Sequence, residues 1–339
     1  MATVMEWNGE DITMKAIRVH AYGGPDVLRL EDVPDPQPGA GEVVVHVAAA
    51  AVSPLDAAKR DGRMQTHPVH KTTLPYTPGL EAAGTVVALG PDVFGVTIGE
   101  RVYIVGSRSG AYAERTVCDT AQVRPLPAAV SFVHGAVVSG SYGTAYAALF
   151  LKARAQPGET VLVHGATGGV GIAGVQLARA AGLTVIGTGG TEEGRQFLVA
   201  QGARHVLAHD APDFADRITA LTGGRGVDIV LEMRADANVG HDLAVLATRG
   251  RVVVIGFARP EPVEISPPLL LGRDLSILGL SLANLSAHER TRSDAAIGAG
   301  LENGTLRPVV RQELPLADAP RAHEALAQPG AHGRIVLIP

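Results

Sequence analysis

Thr160-Val-Leu-Val-His-Gly-Ala-Thr-Gly-Gly-Val-Gly-Ile-Ala-Gly-Val-Gln-Leu-Ala-Arg-Ala-Ala-Gly182 joins a short apolar run to a glycine-rich turn, and then at once to a long amphipathic pattern. That order predicts a strand, a tight turn and a helix N-terminus, the geometry in which backbone amides and the helix dipole hold a dinucleotide pyrophosphate. Gly165 would let the chain leave the strand, Gly168 and Gly169 would let amides approach the phosphates, and Gly171 would let helix pack on strand. The spacing Gly165-x-x-Gly168-x-x-Gly171 departs from strict G-x-G-x-x-G. Four glycines in the seven positions 165–171 still exceed what an ordinary βα turn needs.

The strand that follows, Leu183-Thr-Val-Ile-Gly-Thr188, runs into Gly189-Gly190-Thr191. An acid about 20 residues after the first glycine would grip the ribose hydroxyls of NAD. Thr188, Gly189 and Gly190 occupy that place. Glu192 and Glu193 fall in the first turn of the next helix behind Thr191, a plausible N-cap, and the helix dipole accounts for them. Arg195 is placed to meet a 2′-phosphate. The expected cofactor is NADPH, more from the missing acid than from Arg195.

Outward from this stretch, the texture is that of strands alternating with helices. Strands are expected at 160–165, 184–188, 205–208, 227–232, 251–256 and 275–280, and helices at roughly 170–181, 192–201, 213–222 and 236–247. That alternation predicts a doubly wound parallel sheet. Residues 14–125 instead hold short strand patterns broken by turn clusters such as Pro34-Asp-Pro-Gln-Pro-Gly39, which predict an antiparallel β domain. Beyond 281, helices around 287–303 and 317–327 and a closing strand at 333–338 are too little for a third domain, so the tail should return to the first. The expected division is 14–132 with 282–339, and 133–281, after a disordered extension over 1–13.

Composition bounds the rest. The chain has 339 residues, 41 of them glycine, with 46% apolar and 19% charged residues and a net charge of −5. This fits buried parallel strands and speaks against a basic nucleic-acid face or a polybasic membrane anchor. No apolar run is long enough to span a membrane. Met1 to Thr13 is acidic and lacks the apolar core of a signal peptide, and Met14 is an alternative start. The single cysteine, Cys118, excludes an intramolecular disulfide and reads as a packed thiol. A cytoplasmic location is expected.

From Met14 onward the chain resembles the zinc-independent quinone oxidoreductases of the medium-chain dehydrogenase/reductase superfamily, in the ζ-crystallin branch. The resemblance rests on Leu74-Pro-Tyr-Thr-Pro-Gly79, Gly143-Thr-Ala-Tyr146, Val161 to Gly171, Gly187 to Gly194 and Ile229-Val-Leu-Glu-Met233. It implies a GroES-like catalytic domain interrupted by a Rossmann domain, with an active site in the cleft between them. Zinc-dependent relatives carry metal ligands where this chain has Ser53 and Leu80. A catalytic zinc needs three protein ligands, so no metal is expected. His67 and His70 lie in a loop without a Cys or paired carboxylate and read as solvated.

The resemblance further implies cofactor contacts at Thr167, Gly168, Gly169 and Val170 on the pyrophosphate, and at Gly190 and His209 near the adenosine. Asn238 follows the fourth strand, Ile255, Gly256, Phe257 and Ala258 the fifth, and Leu278, Gly279 and Leu280 lie at the last. Without the resemblance, His209 reads as a strand-end surface histidine and Asn238 as a helix cap. Thr144, at an expected helix start, would contact the nicotinamide amide. Ser53 stands where the family has Asn and would donate to a substrate carbonyl with shorter reach. Ala58 stands where the family has Tyr, which should widen the pocket, and the loop after Gly62 is longer than usual.

The expected activity is NADPH-dependent reduction of a quinone. The chief demand on the protein is then to hold the nicotinamide against the acceptor in a dry site, because the reduced quinone oxygen is stabilised by its own ring. An NADPH-dependent enone or enoyl reductase is the enzyme alternative, and it would need an acid to protonate carbon. A non-catalytic crystallin-like or RNA-binding role is the alternative of another class, disfavoured by the charge of −5 and 4% aromatic residues. A homodimer or homotetramer is expected from the apolar edge strand Leu275 to Leu282.

Overall fold

The structure, a computed structural model, describes residues 13–328, 330 and 332–339. The extension expected over 1–13 lies outside the described residues, apart from Thr13, which already belongs to the first strand. The chain divides into two units, one of residues 1–126, 313–326 and 335–339, the other of 127–312 and 327–334.

In the first unit β1 (Thr13–Arg18) and β2 (Arg29–Pro34) form an antiparallel pair. Then come β3 (Glu42–Val52), α1 (Pro54–Arg60), β4 (Glu81–Leu89), β5 (Arg101–Val105), β6 (Arg115–Asp119) and β7 (Val123–Pro125). The strands β3, β4, β5 and β7 pair antiparallel in that order, and β6 pairs with β3. Val43, Val45, Val47, Ala50 and Val52 of β3 enter a core with Ile17, Val86, Ile104 and the wholly buried Tyr112. Cys118 is buried in β6, and burial pushes its thiol up to about 12.

The second unit opens with α2 (Phe132–Gly135) and α3 (Ser139–Tyr146), and then alternates β8 (Thr160–Val163), α4 (Gly169–Ala180), β9 (Thr184–Thr188), α5 (Glu192–Gln201), β10 (His205–Leu207), α6 (Phe214–Leu221), β11 (Val227–Glu232), α7 (Ala235–Val245), β12 (Leu246–Val254), α8 (Pro267–Arg273) and β13 (Ser276–Gly279). The six strands are parallel, in the order β10-β9-β8-β11-β12-β13. Counted along the unit this is 3-2-1-4-5-6, the dinucleotide-binding order, with its switch point beside β8. All four residues of β8 are buried, as a central parallel strand covered on both faces requires.

After α9 (Ala287–Glu302), the chain runs through β14 (Val310–Pro315), α10 (Ala319–Leu326) and β15 (Arg334–Ile338), and β15 pairs antiparallel with β3. The sequence reading handed the chain back to the first unit at 282, whereas residues through 312 stay with the second. The reason is local. Gln176 on α4 donates to the Arg307 carbonyl and accepts from the Arg307 amide, and Leu306 fills the space left by Gly300 on α9.

Candidate active site

At the switch point of the parallel sheet, β8 ends at Val163 and the chain turns through Gly165, whose φ of 53° lies in the left-handed region. Gly168 caps α4, and its amide donates to the Gly165 carbonyl. A side chain at Gly171 would put Cβ 2.5 Å from both Ala166 Cα and the Gly165 carbonyl oxygen, so the helix sits hard against the turn. Gly169 also serves the packing of the turn. Its missing side chain makes room for Ser141 Oγ and Arg334 Cδ, at 2.6 and 2.7 Å from an added Cβ. Thr167 and Val170 are half-buried on the same turn.

The end of β9 adjoins this turn. Thr188, where an acid would serve NAD, is wholly buried, and its hydroxyl accepts from the Gly165 amide while its carbonyl accepts from Ala166. Thr188 therefore fastens the glycine turn. Gly189 and Gly190 keep the strand end bare, and the His209 ring would lie 2.9 Å from a Cβ at Gly190. Arg195 folds back over this end, donating from Nη1 to the Gly189 carbonyl and from Nη2 to Glu192. Thr191 caps α5 through the Gly194 amide, as expected. Thr167, Gly190, Arg195 and His209 are thus brought to one place.

Across the sheet, Glu232 ends β11. Its Oε1 accepts from the Arg234 amide and from Asn238 Nδ2, and its carbonyl accepts from the Ile255 amide. Asn238 is not the helix cap, because Arg234 holds that position and Asn238 lies one turn into α7. Gly256 follows, with Met233 backbone 2.8 Å from where a Cβ would be. Ala258 donates its amide to Asp236, and Phe257 is exposed. Leu278 and Gly279 lie on the edge strand β13, and the Leu280 amide donates to the Val254 carbonyl. Thr144 lies in the last turn of α3 rather than at its start, so it caps no N-terminus.

In the first unit Ser53 is the N-cap of α1. Its hydroxyl accepts from the Asp56 amide and donates to Asp56 Oδ2 at 2.5 Å, and the Ser53 amide donates to the same Oδ2, closing a capping box. A hydroxyl has one proton, and here Asp56 takes it, so Ser53 in this arrangement offers none to a substrate carbonyl. Asp56 Oδ1 accepts from the Gly79 amide, which ties α1 to the segment carrying Leu80. Asp56, Lys59, Tyr76 and Leu80 line a cavity of ≈ 400 Å³. Ala58 is buried on α1. His67 stacks on His70, and its Nδ1 accepts from the Val69 and His70 amides, so backbone occupies that nitrogen. Among the described residues, the metal-ligating types gather in threes at His164, Glu232 and Asp242, away from Ser53 and Leu80 in the chain. The sequence reading passed over His164 and Asp242; a histidine closing an apolar strand was the available signal.

Residues 39–128 match the family of the alcohol dehydrogenase GroES-like domain, and residues 169–296 match that of the zinc-binding dehydrogenase. The quinone oxidoreductase of Mus musculus is 40% identical over 96% of this chain and 98% of its own. The crystal structure of Escherichia coli quinone oxidoreductase complexed with NADPH shares 30% identity and a TM-score of 0.85, over 96% of this chain and all of its own. An NAD-dependent alcohol dehydrogenase shares 31% identity and a TM-score of 0.89 over 96% of this chain and 100% of its own. Glycine turn, sheet order and full-length similarity agree, and the chain belongs to the ζ-crystallin-like quinone oxidoreductases of the medium-chain dehydrogenase/reductase superfamily.

Proposed function

We propose that this protein is a zinc-independent NADPH:quinone oxidoreductase. The observation that carries the cofactor assignment is the pairing of Thr188 with the glycine turn. It leaves no acid at the end of β9, and the Arg195 guanidinium stands over the bare Gly189. A ribose 2′-hydroxyl would find no carboxylate acceptor at Thr188, Gly189 or Gly190, whereas a 2′-phosphate would find a cation. The cradle fits the group, because Cβ atoms at Gly171 or Gly190 would fill space that the turn or His209 takes.

When bound, the nicotinamide supplies the hydride. The chain supplies orientation: the turn at 165–171 and the N-terminus of α4 bind the pyrophosphate, Gly190 and His209 the adenosine, and residues 255–258 and 278–280 the nicotinamide half. Ser53 and Leu80 stand at positions that hold metal in zinc-dependent relatives, and neither residue is a zinc ligand. The solution form we propose is a cytoplasmic homodimer or homotetramer; no helix among the described residues is long and apolar enough to cross a membrane.

One observation favours a second reading, NADPH-dependent enone reduction. The Tyr76 hydroxyl is buried beside the ≈ 400 Å³ cavity without a hydrogen-bond partner, and burial, with Asp56 nearby, holds its proton firmly. Oxidation of NADPH and NADH followed with benzoquinone, naphthoquinones and α,β-unsaturated ketones separates the readings. Turnover with quinones is expected. Turnover with enones alone would establish the second reading, and faster turnover with NADH would overturn the cofactor assignment.

A further inference from the structure

Three buried titratable side chains meet beneath the glycine turn, and the proposed chemistry does not use them. His164 follows β8 and immediately precedes Gly165, Glu232 ends β11, and Asp242 lies on α7. Glu232 and Asp242 are 0% and 1% exposed. His164 Nε2 is 2.9 Å from Asp242 Oδ1 and 3.7 Å from Glu232 Oε2, and one nitrogen or oxygen atom from each of the three lies within 4.8 Å of the others. Glu232 Oε2 and Asp242 Oδ2 are both buried without a hydrogen-bond partner. The Phe214 ring at the start of α6 stacks on His164, with centroids 5.8 Å apart. Of the neighbours in sequence, Arg234 and Asp236 pair with each other, Asp228 pairs with Arg225, and His241 precedes Asp242.

Two ionised carboxylates cannot be buried this closely without a counter-charge, because each loses its water and each repels the other. A proton held between them relieves both costs, as in other close carboxyl pairs. Burial pushes the Glu232 and Asp242 carboxyls up to about 7 and lowers His164, so the imidazole is not the stable home of positive charge.

We propose that His164, Glu232 and Asp242 form a buried proton-sharing triad that positions the nucleotide site. His164 ties the root of the glycine turn to α7, and Glu232 Oε1 aims the Arg234 amide and Asn238. This rests on the cofactor reading above. Loss of the shared proton leaves a repelling pair under the turn. The carboxyls sit above their unfolded range, so the stability they give is full below about pH 4 and is lost as pH rises through about 7.

The test uses the full chain, NADPH titrated by fluorescence transfer between pH 6 and 8.5, and thermal melts over the same range. Asp242→Asn keeps shape and removes the repulsion. The ratio of the wild-type Kd to that of Asp242→Asn should rise about tenfold across the range, and the Tm of the variant should vary less with pH. Glu232→Ala should raise Kd about tenfold and KM in step, and Glu232→Gln, which keeps an Oε1 acceptor, should recover most of it. A constant Kd ratio with parallel melts would overturn the proposal. So would one equivalent of divalent metal in the purified protein, since a cation would then replace the proton. If the wild type bound no NADPH, the cofactor reading would fail, while the melts would still decide whether the triad shares a proton.

Discussion

Arg195 is the single side chain on which the proposed preference for NADPH is tested. Its guanidinium is held by the Gly189 carbonyl and Glu192, which presents it at the strand end where a 2′-phosphate would lie. Arg195→Ala should weaken NADPH about tenfold and NADH about twofold or less, measured as Kd by calorimetry. Ser53 and Leu80 argue in the same way for metal. Activity should persist after exhaustive dialysis against a chelator, and loss of turnover restored by zinc would refute the zinc-free reading. His323 belongs to the first unit, where its Nδ1 accepts from Arg60 Nη1 and its Nε2 donates to the Tyr112 hydroxyl. Burial, then the Arg60 charge, lowers it to about 4. A depressed histidine binds its proton later than the unfolded chain does, so stability is full above about pH 6.5 and is lost as pH falls toward about 4. That loss is worth about 3 kcal/mol, and melts of His323→Gln should show a flatter acid limb than the wild type.

At the scale of the element, the β8-turn-α4 segment is where sequence and packing coincide. Gly171→Ala would drive a methyl into backbone of the turn rather than into a yielding side chain. A cost of about 2 kcal/mol is expected, read as a lower Tm and weaker NADPH binding together. The strands of this unit and the helices between them up to α7 were legible because buried parallel strands are nearly all apolar and the glycines punctuate them; α8 was not. What α3 and α7 do with their polar residues was not. Thr144 and Asn238 both suggested caps, yet each lies inside its helix, because Val138 and Arg234 happen to take the N-cap positions. Ser53 was read as a site residue and not as half of a capping box, which depends on Asp56 turning back upon it.

On the scale of the molecule, the edge strand β13 presents half-exposed Ile277 and Leu278, and exposed apolar residues cluster in the segment before it, among them Phe257, Val263, Ile265 and Leu271 at 81% exposure. An unpaired apolar edge of this kind favours a second copy. Light scattering at micromolar concentration should give a dimer or a multiple of it. Leu271→Glu should weaken assembly at least about tenfold without lowering the Tm of the isolated subunit. A monomeric wild type would refute the assembly.

The sequence by itself determined the two fold classes, the glycine turn between strand and helix, and the family, because each is written in short-range patterns of glycine and apolar residues, whereas the strand order 3-2-1-4-5-6 came only with the tertiary structure. Tertiary structure alone decided where the second unit ends, since Gln176 captures Arg307 from 131 residues away. It alone decided that Thr188 serves the glycine turn and that His164, Glu232 and Asp242 meet, across 78 residues of chain from His164 to Asp242. Hydrogen bonds between distant side chains leave no periodicity in a sequence. They follow only once the sheet has set β8 beside β11 and packed α7 against it.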